Sequence, residues 1–307
     1  MTVSHRSSGR VPGEHEKDLR IDLIRQRKRD DSLGDAVATG GRVSAARAAA
    51  VQRGLTDLDR QLVATVAAVR MASGRQLQRL HFGDGQAAAR RAGRSLKRLT
   101  ELRVLARLKR RVGGVRAGSA GFVYVLDVVG QSMAGQDGRR PWQLGQAFVA
   151  HALLVTECFV CLKEAAPACG FRVVAYVTEP GCWRTFEGPG GITVLKPDAH
   201  VLVENGEFED RWLLEVDNDT ESPSRIVRKA ALYGQAYELA VTGREPFPKV
   251  LWVCTNDGRE RQLVRALRGL PEPYLDLMAV CQLDALAAVI AAGPASCGLP
   301  RPDGRLS

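Results

Sequence analysis

Positive charge is concentrated in one short part of the chain. Residues 56–126 hold 15 Lys and Arg against 4 Asp and Glu, a net charge of +11, whereas the whole chain of 307 residues carries +10. Residues 127–307 carry a net charge of −5. This asymmetry indicates a module that binds a polyanion, joined to a second part of different character. A basic surface that is simply well solvated is the alternative.

The basic block has the apolar spacing of three short helices followed by a β-hairpin. Helices are predicted from Thr56 to Arg70, from Ser73 to about Phe82 and from Gln86 to Leu99, and strands over 104–111 and 122–127. This order is that of a winged helix-turn-helix, whose third helix can enter the major groove of double-stranded DNA. A small helical domain with a merely soluble basic face is the alternative. The predicted DNA-contacting side chains are Arg75, Arg90, Arg91, Arg94, Lys97, Arg98, Lys109, Arg110, Arg111 and Arg116.

The domain boundaries follow from composition. Residues 1–55 form a basic tail that is predicted to be largely disordered. The winged helix is assigned to residues 56–128, and residues 129–142 are predicted to form a linker rich in Gly, Ser and Arg. Residues 143–295 begin with a long helix and continue with strands and helices, which predicts an α/β (α+β) domain around a mixed sheet. Residues 296–307 form a flexible tail.

The cysteines and the apolar runs bear on location. The chain has seven cysteines, an odd number, all beyond residue 157. They argue against a disulfide framework and favour a reducing cytoplasm. No run of 18 apolar residues exists and the first ten residues are polar, so neither a membrane span nor a secretory signal is expected. The Gly-x-x-x-x-Gly-Lys-Ser/Thr phosphate loop of ATPases is missing from the sequence.

Three carboxylates of the second part fall where strands begin and end. Asp198 precedes one predicted strand, and Glu215 and Asp217 lie on the next, with side chains on the same face because strand residues alternate. Pairing of the two strands brings the three carboxylates to one sheet edge. Such oxygen ligands suit Mg²⁺ or Mn²⁺, which could position a water for attack on a phosphodiester. A solvated turn beside a polar sheet edge is the alternative.

Asp198 followed across a hairpin by Glu215-Val216-Asp217 resembles the PD-(D/E)xK nuclease core. The resemblance implies catalysis by Asp198, Glu215 and Asp217, although Asp217 stands where that core has its lysine. Lys229 on the next helix is the predicted substitute for the lysine. The resemblance also implies a further acidic metal ligand, Glu157, on the helix before the sheet. A degenerate nuclease fold that is kept for binding is the alternative.

The whole layout resembles the replication-relaxation proteins of actinobacterial plasmids and integrative elements. Residues 56–126, Leu195-Lys-Pro-Asp-Ala199 and Leu214-Glu-Val-Asp-Asn-Asp-Thr-Glu221, followed by Lys229 and Tyr233, carry the resemblance. It implies a role in replication or conjugative mobilisation of plasmid DNA. The expected partners are double-stranded DNA, other plasmid replication or transfer proteins, and a second copy of the chain.

The sequence is compatible with two functions. One is a DNA-binding protein with a Mg²⁺-dependent nicking domain. The other is a non-enzymatic initiator or transcriptional regulator whose second domain serves assembly. His151 is predicted to be a satisfied core or interface residue and not a metal ligand, whereas Tyr233 and Tyr237 are predicted to be packing residues. The Cys158–Cys161 pair is predicted to be core thiols because it lies inside an apolar helix.

Overall fold

The computed structural model describes residues 43–112, 121–136, 145–188, 191–242 and 246–299. The chain divides into two compact units, Met1–Gly41 and Arg42–Ser307, and all described residues belong to the second unit. Most of the predicted N-terminal tail and part of the C-terminal tail therefore lie outside the described residues.

The part before residue 137 consists of helices and a small sheet. Its elements are α1 (Ala45–Arg53), α2 (Asp57–Val69), β1 (Met71–Ser73), α3 (Gly74–Phe82), α4 (Gln86–Glu101), β2 (Leu105–Val112), β3 (Gly121–Leu126) and α5 (Val128–Met133). The three predicted helices and the two predicted strands are present as α2, α3, α4, β2 and β3. Strand β1, which the sequence did not predict, pairs with β3 and makes a three-stranded antiparallel sheet of order β1-β3-β2.

Capping boxes set the starts of α2 and α3. The Thr56 hydroxyl accepts a hydrogen bond from the backbone N–H of Asp59 at 3.2 Å, and the Asp59 carboxylate accepts one from the backbone N–H of Thr56 at 2.9 Å. Ser73 and Gln76 form the same reciprocal pair at the start of α3. Each box satisfies backbone donors that the first helical turn leaves without a partner.

The part after residue 144 is built around a mixed sheet, which confirms the predicted α/β class. Its elements are α6 (Gln146–Cys169), β4 (Phe171–Thr178), β5 (Arg184–Gly188), β6 (Gly191–Leu195), β7 (Ala199–Asn205), β8 (Phe208–Val216), α7 (Pro223–Thr242), β9 (Lys249–Cys254), α8 (Asp257–Leu267), α9 (Glu272–Leu275), β10 (Met278–Gln282) and α10 (Leu286–Ala292). The sheet has the order β10-β9-β8-β7-β4. Strands β4, β7 and β8 are antiparallel, whereas β8, β9 and β10 are parallel. Strands β5 and β6 form a separate hairpin.

Alternation along β8 divides its side chains between two helical layers. Trp212, Leu214 and Val216 pack in the core that includes α6 and α10. Leu213 packs in the core that includes α7 and α8. Glu215 therefore faces the α7 layer, as strand alternation predicts.

Helix α6 is the one helix in the described part of the chain that is long and apolar enough, by length and composition, to cross a membrane. In the structure it packs between the N-terminal helices and the sheet. Cys158 and Leu162 of this helix are fully buried in the core that it shares with both. This position accounts for its apolar sequence.

The residues assigned to a linker contain a packed helix. Asp127 begins α5 by accepting a hydrogen bond from the backbone N–H of Val128 at 2.6 Å. Gly130 of α5 lies so close to the residue before β2 that an added Cβ would be 2.3 Å from the carbonyl oxygen of Val104. The hydrophobic core also runs without a break from α2 and α3 through α6 to the sheet. The described residues on either side of 137–144 thus share one core.

Candidate functional site

One face of α4 is basic and exposed. Ala88, Ala92, Leu96 and Leu99 are its buried residues. Arg90, Arg94 and Lys97 are exposed and follow the spacing i, i+4, i+7, so they form one stripe on the outer side. Lys97 makes only a long ion pair, 3.8 Å, with Glu101. A stripe of this kind presents cations to a phosphate backbone or to base edges. We call Arg90, Arg94 and Lys97 the basic stripe.

Arg98, on the same helix, has a structural role and is not part of the basic stripe. Its guanidinium nitrogen Nη2 lies 2.5 and 2.6 Å from the two carboxylate oxygens of Asp59, which is 1% exposed. Burial alone would raise the pKa of Asp59, but hydrogen bonds from Arg98 and Thr56 outweigh it and lower the pKa below its ordinary value. Arg98 therefore joins α4 to the start of α2. Similarly, Arg91 donates to the carbonyl oxygen of Phe82 at the end of α3, at 3.2 Å.

The other predicted DNA-contacting residues are spread over α3 and the hairpin. Arg75 is exposed on α3. Lys109, Arg110 and Arg111 belong to β2, but only their backbone is described, and Arg116 lies outside the described residues. Arg107 of β2 stacks over the ring of Phe122 in β3, with 3.9 Å between the guanidinium carbon and the ring centroid.

Glu157 joins α6 to α3. It forms an ion pair with Arg79, which also pairs with Glu164. The Gln76 side-chain amide donates to Glu157 and to the carbonyl oxygen of Leu153, both at 2.9 Å. The predicted metal ligand Glu157 is therefore bound to the N-terminal helices through its carboxylate.

Asp198 and Glu215 meet at the end of the β7–β8 pair. Asp198 stands one residue before the Ala199–Leu214 pair of the antiparallel register, and Glu215 stands one residue after it. One Asp198 oxygen accepts a hydrogen bond from the backbone N–H of Val216 at 2.7 Å. The other lies 3.0 Å from His151 Nε2 on α6. Burial would lower the pKa of His151, but the Asp198 carboxylate outweighs it and raises the pKa.

Glu215 is enclosed by α7. It is 1% exposed, and its two oxygens contact the Tyr233 hydroxyl and the Lys229 ammonium. Burial raises the pKa of Glu215 to about 8, although the Lys229 ammonium and the Tyr233 hydroxyl lower it. Burial would lower the pKa of Lys229, but the neighbouring carboxylates of Glu215 and Asp198 raise it. The structure thus brings together Asp198, Glu215 and Lys229, three of the four predicted catalytic residues.

Asp217 is bound by α8. Arg259 Nε and Nη2 donate to its two oxygens at 2.8 and 2.7 Å, and both residues are buried. Arg259 also donates to the carbonyl oxygen of Glu221 at 2.7 Å. A two-point pair of this kind fixes the geometry of the carboxylate. Asp217 therefore holds the segment after β8 against the start of α8.

As arranged, these side chains do not fit a divalent ion. Across the described ranges, no group of three or more His, Cys, Asp and Glu side chains is placed to hold a metal ion. The predicted ligands Glu157, Glu215 and Asp217 each have a cationic partner of their own, respectively Arg79, Lys229 and Arg259. Mg²⁺ is usually held by carboxylate oxygens that are free to face it. In this arrangement the cations of the protein itself occupy those oxygens.

The family to which this chain belongs follows from a comparison of its sequence with models of protein families. The family model for replication-relaxation matches residues 63–248, which is more than half of the chain. The chain belongs to the replication-relaxation family. Membership indicates a role in plasmid replication or mobilisation. A search of curated proteins and a search of solved structures each found no match.

The match of this replication-relaxation chain extends from α2 to the segment before β9 and so includes the basic stripe and the Asp198–Glu215–Lys229 cluster. Arg259 lies beyond it. Arg259 was not among the predicted site residues, and Tyr233 was interpreted as a packing residue. The one local signal for Arg259 is its place three residues after Asn256, which caps α8 directly behind β9.

Proposed function

We propose that this chain binds double-stranded DNA during plasmid replication or conjugative mobilisation, with α4 in the major groove. The observation that carries the proposal is the basic stripe, which is exposed and for which, among the described residues, Glu101 is the one carboxylate in an ion pair. Family membership supports the biological role. Association with other plasmid replication or transfer proteins, or with a second copy, stays a prediction.

Duplex binding by the full chain tests the proposal. We expect affinity to fall by about 10³-fold or more between about 50 and 200 mM salt, because roughly six to ten phosphate contacts release that many counterions. The Arg90→Ala/Arg94→Ala/Lys97→Ala variant should lose most of the affinity. A matched control is Arg228→Ala/Arg261→Ala/Arg265→Ala, which removes the same charge from exposed positions on α7 and α8. Equal losses in both variants would contradict a defined interface on α4.

Metal-dependent nicking is a second candidate function, and it requires a divalent ion to displace the Lys229 ammonium from Glu215. The observation that favours it is the meeting of Asp198, Glu215 and Lys229 at one end of the sheet. Under this function the protein should relax supercoiled DNA that carries its binding site when Mg²⁺ or Mn²⁺ is added, and Glu215→Ala should not. Lys229→Ala should reduce nicking by about 10²-fold, since it removes a charge that offsets the developing phosphoryl charge. Intact supercoiled DNA with both metals would leave DNA binding as the function.

A further inference from the structure

Lys229, on α7, forms an ion pair with Glu215, a buried carboxylate of β8. The Lys229 side chain is 26% exposed, whereas that of Glu215 is 1% exposed. Burying a carboxylate without a partner is costly, so Glu215 needs a cation or a proton at neutral pH. Lys229 is the cation that the described residues place in contact with it.

More than one carboxylate acts on this ammonium. Asp198 and Glu221 add to the attraction of Glu215 for Lys229. Both oxygens of Glu215 are in contact with donors, Tyr233 and Lys229, and both oxygens of Asp198 have polar partners, Val216 and His151. Each oxygen of the two carboxylates thus already has a polar partner within the protein.

We propose that Lys229 is the resident cation of this end of the sheet. While its ammonium is in place, the Asp198–Glu215 pair binds no divalent ion. Without the ammonium, Glu215 keeps the Tyr233 hydroxyl as a partner and must take up either a proton or another cation. When Mg²⁺ or Mn²⁺ is present, that ion then binds through Glu215, Asp198 and water, because one or two carboxylates are the usual protein ligands of Mg²⁺. The proposal rests on the sheet alone and does not depend on DNA binding by α4.

Thermal melting of the full chain with and without about 5 mM Mn²⁺ tests the proposal. We expect no shift in the wild-type protein. Lys229→Ala should melt at a lower temperature than wild type without metal, and Mn²⁺ should raise its melting temperature by about 3 °C or more through binding to the folded state. Lys196→Ala is the matched control, because it removes an exposed lysine that lies two residues before Asp198 in the sequence. It should show no Mn²⁺ effect.

Two results would overturn the proposal. One is a Mn²⁺-induced rise in the wild-type protein that disappears in Glu215→Gln. The other is a folded Lys229→Ala variant that gains nothing from Mn²⁺. If Lys229→Ala does not fold, the Lys229→Ala/Glu215→Gln double variant should fold again, because the neutral amide no longer needs the ammonium. Electron paramagnetic resonance of Mn²⁺ with wild type and Glu215→Gln then decides the matter. Absence of Glu215-dependent bound Mn²⁺ supports the proposal, and its presence refutes it.

Discussion

Carboxylates at the end of β8 form ion pairs with cationic side chains of neighbouring helices. Glu215 pairs with Lys229 of α7, and Asp217 pairs with Arg259 of α8. The Asp217–Arg259 pair is the most buried of these, and 42 residues separate its members in the chain. Removal of one member leaves a buried charge without compensation. This destabilises a protein much more than replacing both members with apolar residues.

Arg259→Ala should therefore lower the free energy of unfolding by about 3–5 kcal/mol. Urea denaturation measures the loss. Arg261→Ala, two residues further along α8 and exposed, is the control and should change stability by less than about 0.5 kcal/mol. A similar loss in both variants would show that the Asp217 contact contributes little.

Only part of the arrangement of these residues could be predicted from the sequence. Strand alternation is local, so the placement of Glu215 and the spacing of Asp198 could be inferred from the sequence. Lys229 was expected beside these carboxylates as the substitute for the missing lysine. Arg259 and Arg79 were not expected, because they reach Asp217 and Glu157 only through tertiary packing of α8 and α3. Free carboxylates were therefore expected where the structure has paired ones. Strand β1 escaped notice for a different reason, since three residues are too few to show a period.

Between elements, Asp59 links the start of α2 to α4. Its pKa is lowered in the folded state, so its contribution to stability is complete at neutral pH and is lost as the pH falls through its unfolded value, about 4, towards the folded one. Asp59→Asn should cost about 1–2 kcal/mol at pH 7, the usual scale for a helix cap. The difference between wild type and variant should shrink below about pH 4. Urea denaturation from pH 7 to pH 3 checks this, and a difference that is constant with pH would contradict it.

The contact of α5 with β2 gives a second prediction for elements. Gly130→Ala should destabilise the fold by about 1–3 kcal/mol, because its Cβ would clash with the Val104 carbonyl. Gly93→Ala in α4 is the counterpart, since nothing lies within 4 Å of its added Cβ. It should stabilise α4 by about 0.5–1 kcal/mol through helix propensity. Chemical denaturation of both variants measures the change in the free energy of unfolding, which should be a loss for Gly130→Ala and a gain for Gly93→Ala. An unchanged free energy of unfolding in Gly130→Ala would mean that α5 can move away from β2.

For the molecule as a whole, the shared core predicts unfolding in one step. Trp183, Trp212 and Trp252 belong to the part with the mixed sheet, so their fluorescence follows that part, whereas far-ultraviolet circular dichroism follows all the helices. Leu77→Ala in α3 removes a fully buried side chain and should cost about 2–5 kcal/mol. It should shift both transitions equally. A fluorescence transition that stays at the wild-type temperature would show two independent domains.

The pairing of Arg98 with Asp59 has a practical consequence for any test of the proposed DNA binding that varies the side chains of α4. A library that randomises Arg90, Arg94 and Lys97 samples side chains that the fold does not use, so most of its members should still be produced in folded form. Arg98 looks like one more basic position of the same helix, but randomising it would remove the partner of a buried carboxylate. Selection from such a library would then report on survival of the scaffold instead of preference for a base sequence.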